Sequence, residues 1–133
     1  MSTLPSLSAS LAMLTSLSAF IDQGSNFATL VFYSDSKPTS TDAAANDSKA
    51  LVTLSLPKPS LKQVNADSID LKPTDTAMVK QAGTVVWARL YNGNGLAVMD
   101  FAVGSDILIA NTELAVGGAL NLTSIKLKPN LGG

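Results

Sequence analysis

Apolar residues near the N-terminus recur at intervals of three and four positions. They are Leu7, Leu11, Leu14, Leu17 and Ile21. This spacing places the five side chains on one stripe of a helix of about four turns. Serines occupy much of the opposite face. The pattern therefore predicts an amphipathic helix at the start of the chain.

The two ends of this helix carry recognisable signals. Pro5 fits the first helical turn, where a missing N–H costs nothing, and Thr3 could cap that turn. Gly24 is typical of the residue that follows a helix C-terminus. Two roles of the apolar stripe stay open: an arm that docks on another subunit, or a cover over one end of the chain's own sheet. For the first role, the candidate inter-subunit contacts are the five stripe residues and Leu131.

Beyond residue 26 the pattern changes from helical to β, with short apolar or alternating runs of strand length. Strand-like segments cover residues 27–33, 50–56, 61–64, 68–71, 77–79, 84–91, 96–103, 106–110 and 119–128. A polar segment, residues 34–49, predicts a long loop between the first two strands. Many short strands with Gly, Pro and Asn turns predict an antiparallel β-sandwich or barrel-like domain. We therefore expect a helical arm over residues 1–24 and a single β domain over residues 25–133.

The last predicted strand changes its apolar face midway. Leu120 and Leu122 share one face, whereas Ile125 and Leu127 have the opposite parity. Either a bulge near Thr123-Ser124 turns the strand, or both of its faces are buried.

The clearest turn signal is Asn92-Gly93-Asn94-Gly95, which joins two strand-like segments. Asn-Gly tolerates the positive φ angles that tight hairpin turns require. A turn centred on Asn94-Gly95 sets Arg89 opposite Asp100, and a turn centred on Gly93-Asn94 sets Trp87 there instead. We favour the first register, which makes Arg89 and Asp100 a cross-strand structural ion pair.

The residue composition offers little material for catalysis. The chain has no cysteine or histidine, and it has one arginine, one glutamate, nine aspartates and eight lysines. The carboxylate pairs Asp67/Asp70, Asp35/Asp42 and Asp100/Asp106 could serve a hydrolase, but no pattern specifies the apolar pocket that one member would need. Neither a nucleophile with its base nor a metal cluster can be assembled from these residues. We expect no enzymatic activity, no cofactor and no metal ion.

Charge and hydropathy narrow the possible partners. Charged residues make up 14% of the chain, and its net charge is −1. Soluble domains average about 25% charged residues, so this surface suits a subunit packed against neighbours, although a monomer coated with Ser and Thr is the alternative. The lysines are spread singly, which argues against direct nucleic-acid binding. No apolar run reaches the roughly 18 residues that a membrane span needs, and the N-terminal run reads as retained, folded structure.

Trp87 and Tyr91 fall on one face of their predicted strand. Aromatic rings in such a position can stack on sugars in a binding module. A lone strand tryptophan is more commonly a core anchor, and we favour that interpretation.

A set of motifs along the chain resembles one known group of proteins. In order they are Ala28-Thr29-Leu30, Tyr33-Ser34, Pro38, Leu51-Val52-Thr53-Leu54, Gly83-Thr84, Trp87-Ala88-Arg89-Leu90-Tyr91, Ala97-Val98-Met99-Asp100, Val103-Gly104, Asp106-Ile107, Asn111-Thr112 and Leu122-Thr123-Ser124. They resemble those of small structural proteins of phages and prophages, with the best likeness from Gly83 to Ser124. The segment Pro57–Pro73 departs from the group.

This resemblance implies a shared fold and a place in the virion. The leading role that it implies is capsid decoration or cement, in which the chain binds the major capsid protein and copies of itself on the phage head. A tail or baseplate module, either a host-glycan binder or a tube or connector subunit, is the alternative. Synthesis in the bacterial cytoplasm follows from either role.

Overall fold

A computed structural model describes residues 6–109, 111–123 and 125–127. These residues form one helix, α1 (Leu7–Ile21), and a single 3-10 turn (Asp47–Lys49). Their strands are β1 (Thr29–Tyr33), β2 (Ala50–Ser55), β3 (Leu61–Val64), β4 (Ile69–Leu71), β5 (Ala77–Met78), β6 (Gly83–Thr84), β7 (Trp87–Tyr91), β8 (Ala97–Ala102), β9 (Glu113–Leu114), β10 (Ala119–Leu120) and β11 (Ile125–Leu127). The chain is therefore mainly β with one N-terminal helix, as the sequence predicts.

The strands pair in four antiparallel sheets. Their orders are β2-β1-β7-β8, β11-β4-β3, β10-β5 and β6-β9. Within the described residues no sheet closes into a barrel. Buried apolar side chains of the two larger sheets, such as Leu30 and Leu90 in one and Ile69 and Leu127 in the other, belong to a single hydrophobic cluster. That shared core is what holds the short strands together, since burial of apolar surface dominates folding.

The helix α1 packs on this same core. Leu11, Leu14 and Leu17 lie half-buried against the cluster, and Ile21 is 0% exposed. Ile21 is therefore a core residue of its own domain, not a surface contact, because no part of its side chain is accessible. Of the other predicted subunit contacts, the side chain of Leu7 and the whole of Leu131 lie outside the described residues.

Polar caps fix both ends of α1. The N–H of Ala9 donates to Ser6 Oγ at 3.2 Å, which makes Ser6 the N-cap of the helix. The predicted cap Thr3 and the predicted first-turn Pro5 lie outside the described residues. The helix ends at its C-cap Asp22, and Gly24 follows with φ +107°.

The C-terminal end of α1 is also bonded to the sheets. The Asp22 carboxylate accepts the N–H of Ser60 at 3.0 Å, and the buried amide of Asn92 donates to the carbonyl of Phe20 at 3.4 Å. Backbone packs directly on backbone here: a Cβ added to Gly93 would clash with the carbonyl oxygen of Asn26. The helix thus covers one end of its own domain, and the hairpin turn rests against it.

Two predicted strands are each divided between two sheets. The chain leaves β6, which pairs with β9, and enters β7, which pairs with β1. Between these two strands, the N–H of Val85 donates to the carbonyl of Thr112, next to β9, and not to β1. The segment predicted as one strand over residues 119–128 likewise splits into β10 and β11. This change of sheet explains the opposite parities of Leu122 and Ile125, both of which are buried.

The strand predicted over residues 106–110 is wrong for its described part. Gly104 has φ +105° and turns the chain, and Asp106 Oδ2 accepts the N–H of Ala102 at 2.8 Å. This side-chain bond occupies a backbone donor at the end of β8, so the chain folds back as a turn with a single bridge between Val103 and Ile107.

The β7–β8 hairpin has the register in which Arg89 faces Asp100. The predicted turn centred on Asn94-Gly95 is wrong: the N–H of Gly95 donates to the Asn92 carbonyl at 2.9 Å, so the turn is centred on Gly93-Asn94. Gly95 takes the left-handed conformation, with φ +82°. Between the turn and Arg89 the pairing slips by one residue at a bulge, which brings Arg89 opposite Asp100.

Candidate functional site: a polar cluster beneath the long loop

A group of polar and aromatic side chains gathers on the face of the four-stranded sheet that points away from the hydrophobic core. Successive strand residues point to opposite faces, and Ala88 and Leu90 of β7 belong to the core. The alternate residues of that strand and their cross-strand neighbours therefore share the other face. We call this group the outer-face cluster: Tyr33, Trp87, Arg89, Tyr91 and Asp100.

Arg89 is the centre of the outer-face cluster and is 2% exposed. Its guanidinium binds the Asp100 carboxylate through two hydrogen bonds, Nε to Oδ1 at 2.7 Å and Nη2 to Oδ2 at 3.1 Å. Two further bonds reach the 34–49 loop: Nη1 donates to the Ala43 carbonyl at 2.7 Å, and Nη2 donates to the Ser40 carbonyl at 3.4 Å. The planar fork of arginine suits this arrangement, which the single ammonium of lysine could not reproduce.

The hydrogen bonds to Asp100 raise the pKa of the Arg89 guanidinium above its ordinary value. The pair is almost fully buried, with both side chains at most 5% exposed. Buried charges need such bonds because the removal of each ion from water costs roughly several kcal/mol in a protein. Arg89 is therefore a permanent cation held by its neighbour.

The aromatic residues of the cluster are equally engaged. The Trp87 and Tyr33 rings stack with centroids 4.5 Å apart, and the Arg89 guanidinium lies 5.2 Å from the Trp87 ring centroid. Trp87 Nε1 donates to Asp35 Oδ1 at 2.9 Å, at the start of the 34–49 loop. The Tyr33 and Tyr91 hydroxyls share a hydrogen bond of 2.9 Å. Burial raises the pKa of Tyr33, and the bond to Tyr91 raises it further.

This arrangement can hold a loop, and it is poorly suited to proton transfer. Arg89 and Tyr33 both bind their protons more tightly than usual, so neither supplies a base near neutral pH. The donors of Arg89 and Trp87 are already directed at acceptors on the sheet or on the loop. We therefore describe the outer-face cluster as a clamp that fastens the loop to the sheet.

Carboxylates outside the cluster act mainly as hydrogen-bond acceptors within the fold. Asp75 accepts the N–H of Ser55 at 2.7 Å, and Asp70 accepts from the Gln63 amide at 3.0 Å. The two members of the predicted pair Asp35/Asp42 are used separately, since Asp35 binds Trp87. Over residues 6–109, 111–123 and 125–127, no group of three or more Asp or Glu side chains could hold a metal ion. No helix in that part of the chain is long and apolar enough to cross a membrane.

The ion pair and the 34–49 loop were both predicted from the sequence, but the contacts between the outer-face cluster and that loop were not. The bonds from Arg89 to Ala43 and Ser40 join residues more than forty positions apart, and backbone carbonyls leave no trace in a residue pattern. A signal was present in Arg89 itself, because a lone arginine in an apolar strand has five donors and one carboxylate satisfies only part of them.

A second feature lies near the C-terminal strands. An open depression of about 760 Å³ is lined largely by apolar side chains, including Ile107, Ile109, Leu114, Leu120 and Leu122. Leu108 also contributes to its lining and is 78% exposed. Polar side chains such as Glu113 and Lys126 complete the lining.

Comparison with known protein families, with curated proteins and with solved structures found no match.

Proposed function

We propose that this chain is a structural subunit of a bacteriophage particle that decorates the head by binding the major capsid protein and copies of itself. The observation that carries the proposal is the amount of large apolar side chain left on the surface. Eight such residues among those described are 41–78% exposed: Met13, Phe27, Val64, Met78, Val86, Leu96, Leu108 and Val116. Contiguous exposed apolar patches mark protein–protein contacts, and Leu108, the most exposed of the eight at 78%, lines the apolar depression near the C-terminal strands.

The use of the polar side chains also supports a structural role. Arg89 and Trp87 are buried, and the side chain of Asp100 is 5% exposed. Arg89 is bonded to Asp100 and to the 34–49 loop, and Trp87 is bonded to Asp35 at the start of that loop. The surface is correspondingly poor in charge, at 14% of all residues. Polar side chains that form hydrogen bonds within the fold favour a structural role over a catalytic one.

We place the subunit contact on a surface other than the apolar stripe of α1. Leu11, Leu14 and Leu17 already pack against the chain's own core. The better candidates are the apolar depression and its exposed residue Leu108. A leucine that becomes fully buried at an interface contributes about 1.5–3 kcal/mol, and that contribution multiplies across the many copies of a shell by avidity.

The experiment is cosedimentation of the purified protein with phage heads stripped of their decoration, in mild salt. We expect saturable binding, and we expect Leu108→Ser to weaken it by about tenfold or more. Val64→Ser is the matched control, because Val64 is also exposed but does not line the depression. A complete lack of binding by the unaltered protein would contradict the proposed role, and equal losses in the two variants would contradict the proposed surface.

The alternative in the tail has two forms. A host-glycan module requires an exposed aromatic patch around Trp87 or Tyr91. Trp87 is 1% exposed, and Tyr91 is half-buried with its hydroxyl bonded to that of Tyr33, so neither ring supports this form. A tube or connector subunit requires ring assembly, and the mass of the protein in solution distinguishes a ring from a small cluster.

A further inference from the structure

The 34–49 loop touches the sheet without burying any of its own residues. None of its sixteen positions is buried, although the loop lies over the buried Arg89. Its middle is bonded to the sheet by the two hydrogen bonds from Arg89 to Ala43 and Ser40. Near its ends, Trp87 binds Asp35 and the Gln81 amide donates to the Ser48 carbonyl at 3.0 Å. The attachment is therefore polar, and little apolar surface opposes its release.

The charge balance beneath the loop makes that release inexpensive. The positive charge of Arg89 is compensated by Asp100, which belongs to β8 and not to the loop. The loop contributes neutral carbonyl oxygens. When the loop lifts, the ion pair stays bonded, and water can replace the two carbonyls. No buried charge loses its partner, which is the event that makes breaking a buried ion pair costly.

We propose that the middle of the 34–49 loop is a strap that opens while the sheet stays folded, with Arg89 as its latch. The open state frees two donor positions of the guanidinium and uncovers the face that carries Trp87 and Tyr33. The closed state turns these same donors inward to Ala43 and Ser40. This inference stands independently of the proposed function, because it rests on the loop's own contacts.

Limited proteolysis with an endoproteinase that cleaves before aspartate tests the strap directly. Asp42 lies between the two latched carbonyls, and Asp67 lies in an exposed turn between β3 and β4, far along the chain from the latch. Cleavage of a transiently opened segment follows the population of its open form when closing is fast. Arg89→Lys keeps a cation for Asp100 but loses the planar fork that reaches both carbonyls.

We expect Arg89→Lys to speed cleavage before Asp42 by about tenfold or more, as the loss of bonds to a charged donor implies, with cleavage before Asp67 unchanged. An unchanged rate at Asp42 would overturn the latch. A parallel increase at both sites would overturn independent opening, because it would mean that the loop opens only when the fold does.

A second variant leaves the buried ion pair intact, in case Arg89→Lys fails to fold. Asp35→Ala removes the acceptor of Trp87 at the start of the 34–49 loop, beside the strap. We expect a rise of roughly threefold or more in cleavage before Asp42, again without change at Asp67. No rise, or equal rises at both sites, would overturn the proposal.

Discussion

Replacing Asp100 with alanine tests how much the buried ion pair between Arg89 and Asp100 contributes to the stability of the fold. The change removes both carboxylate acceptors of Arg89 and leaves a guanidinium that is 2% exposed with only two neutral carbonyls. The arginine cannot lose its charge, since its pKa lies far above neutral pH. The folded state must then hold an uncompensated buried cation.

The expected magnitude follows from this imbalance. Removing one partner of a buried ion pair costs about 3–5 kcal/mol of unfolding free energy. Domains of this size have about 5–15 kcal/mol in total. We therefore expect Asp100→Ala to remain folded in the cold and to melt roughly 10–20 °C lower than the unaltered protein. The double variant Arg89→Met with Asp100→Leu should recover most of the loss, because it removes both charges and keeps the volume.

Urea unfolding followed by the fluorescence of Trp87, the only tryptophan, measures both variants. The midpoint should fall in Asp100→Ala with little change in the slope with denaturant, since the buried area is the same. A loss below about 1 kcal/mol, the range of exposed ion pairs, would refute the claim that the pair is buried and essential. A double variant no more stable than Asp100→Ala would refute the argument from unpaired charge.

Two further predictions concern Tyr33 and Gly93. Burial raises the pKa of Tyr33 in the folded protein above its ordinary 10.0, so above pH 10 the unfolded chain loses this proton first and the free energy of unfolding falls, by up to about 1.4 kcal/mol per pH unit. In denaturation curves on either side of pH 10, Tyr33→Phe should lower this pH dependence by the contribution of one proton. An equal pH dependence in both proteins would contradict the raised pKa of Tyr33. Gly93→Ala places a Cβ against the Asn26 carbonyl and 2.6 Å from that of Gln23, so we expect a loss near or above the roughly 3 kcal/mol upper range for overpacking. In the control Gly95→Ala the added Cβ meets open space, so only the positive φ of this position costs stability, about 1–2 kcal/mol. Calorimetry measures the melting temperature of both variants. Equal losses in the two would contradict the close packing of the hairpin turn against the segment that follows α1.

Local patterns predicted much of the fold. The stripe from Leu7 to Ile21 predicted α1. The apolar run over residues 27–33 predicted β1, and alternation over residues 50–56 predicted β2, each nearly to its ends. The Asn-Gly pairs predicted the hairpin, and the register with Arg89 opposite Asp100 is present. In each case the signal lies within about ten residues, where period and turn chemistry act directly.

The misplaced strands share a different cause. The residues from Thr84 to Tyr91 form one unbroken strand-like run, yet the chain changes sheets at Val85, where its N–H is taken by Thr112. Asp106 looked like the start of a strand, but its carboxylate holds the Ala102 N–H and stabilises a turn. Partners distant in sequence, or a single side-chain bond, decide these places, and period alone does not encode them.

The candidate site divides in the same way. The turn signal located the hairpin, but Arg89 faces Asp100 because a bulge between the turn and Arg89 shifts the pairing by one residue. The contacts to Ala43 and Asp35 depend on where a sixteen-residue loop comes to rest. Loop-closure entropy changes only slowly with loop length, so sequence spacing does not select one resting place among many.

The accessibility of Trp87 tests the clamp most directly. Its indole is 1% exposed, stacked on Tyr33 and bonded to Asp35 under the 34–49 loop. Quenching of its fluorescence by acrylamide, a neutral solute, should therefore be far weaker in the native protein than in the urea-unfolded chain. Native quenching as strong as in the unfolded chain would place the ring at the surface, contradict the clamp, and return Trp87 to the list of candidate ligand contacts.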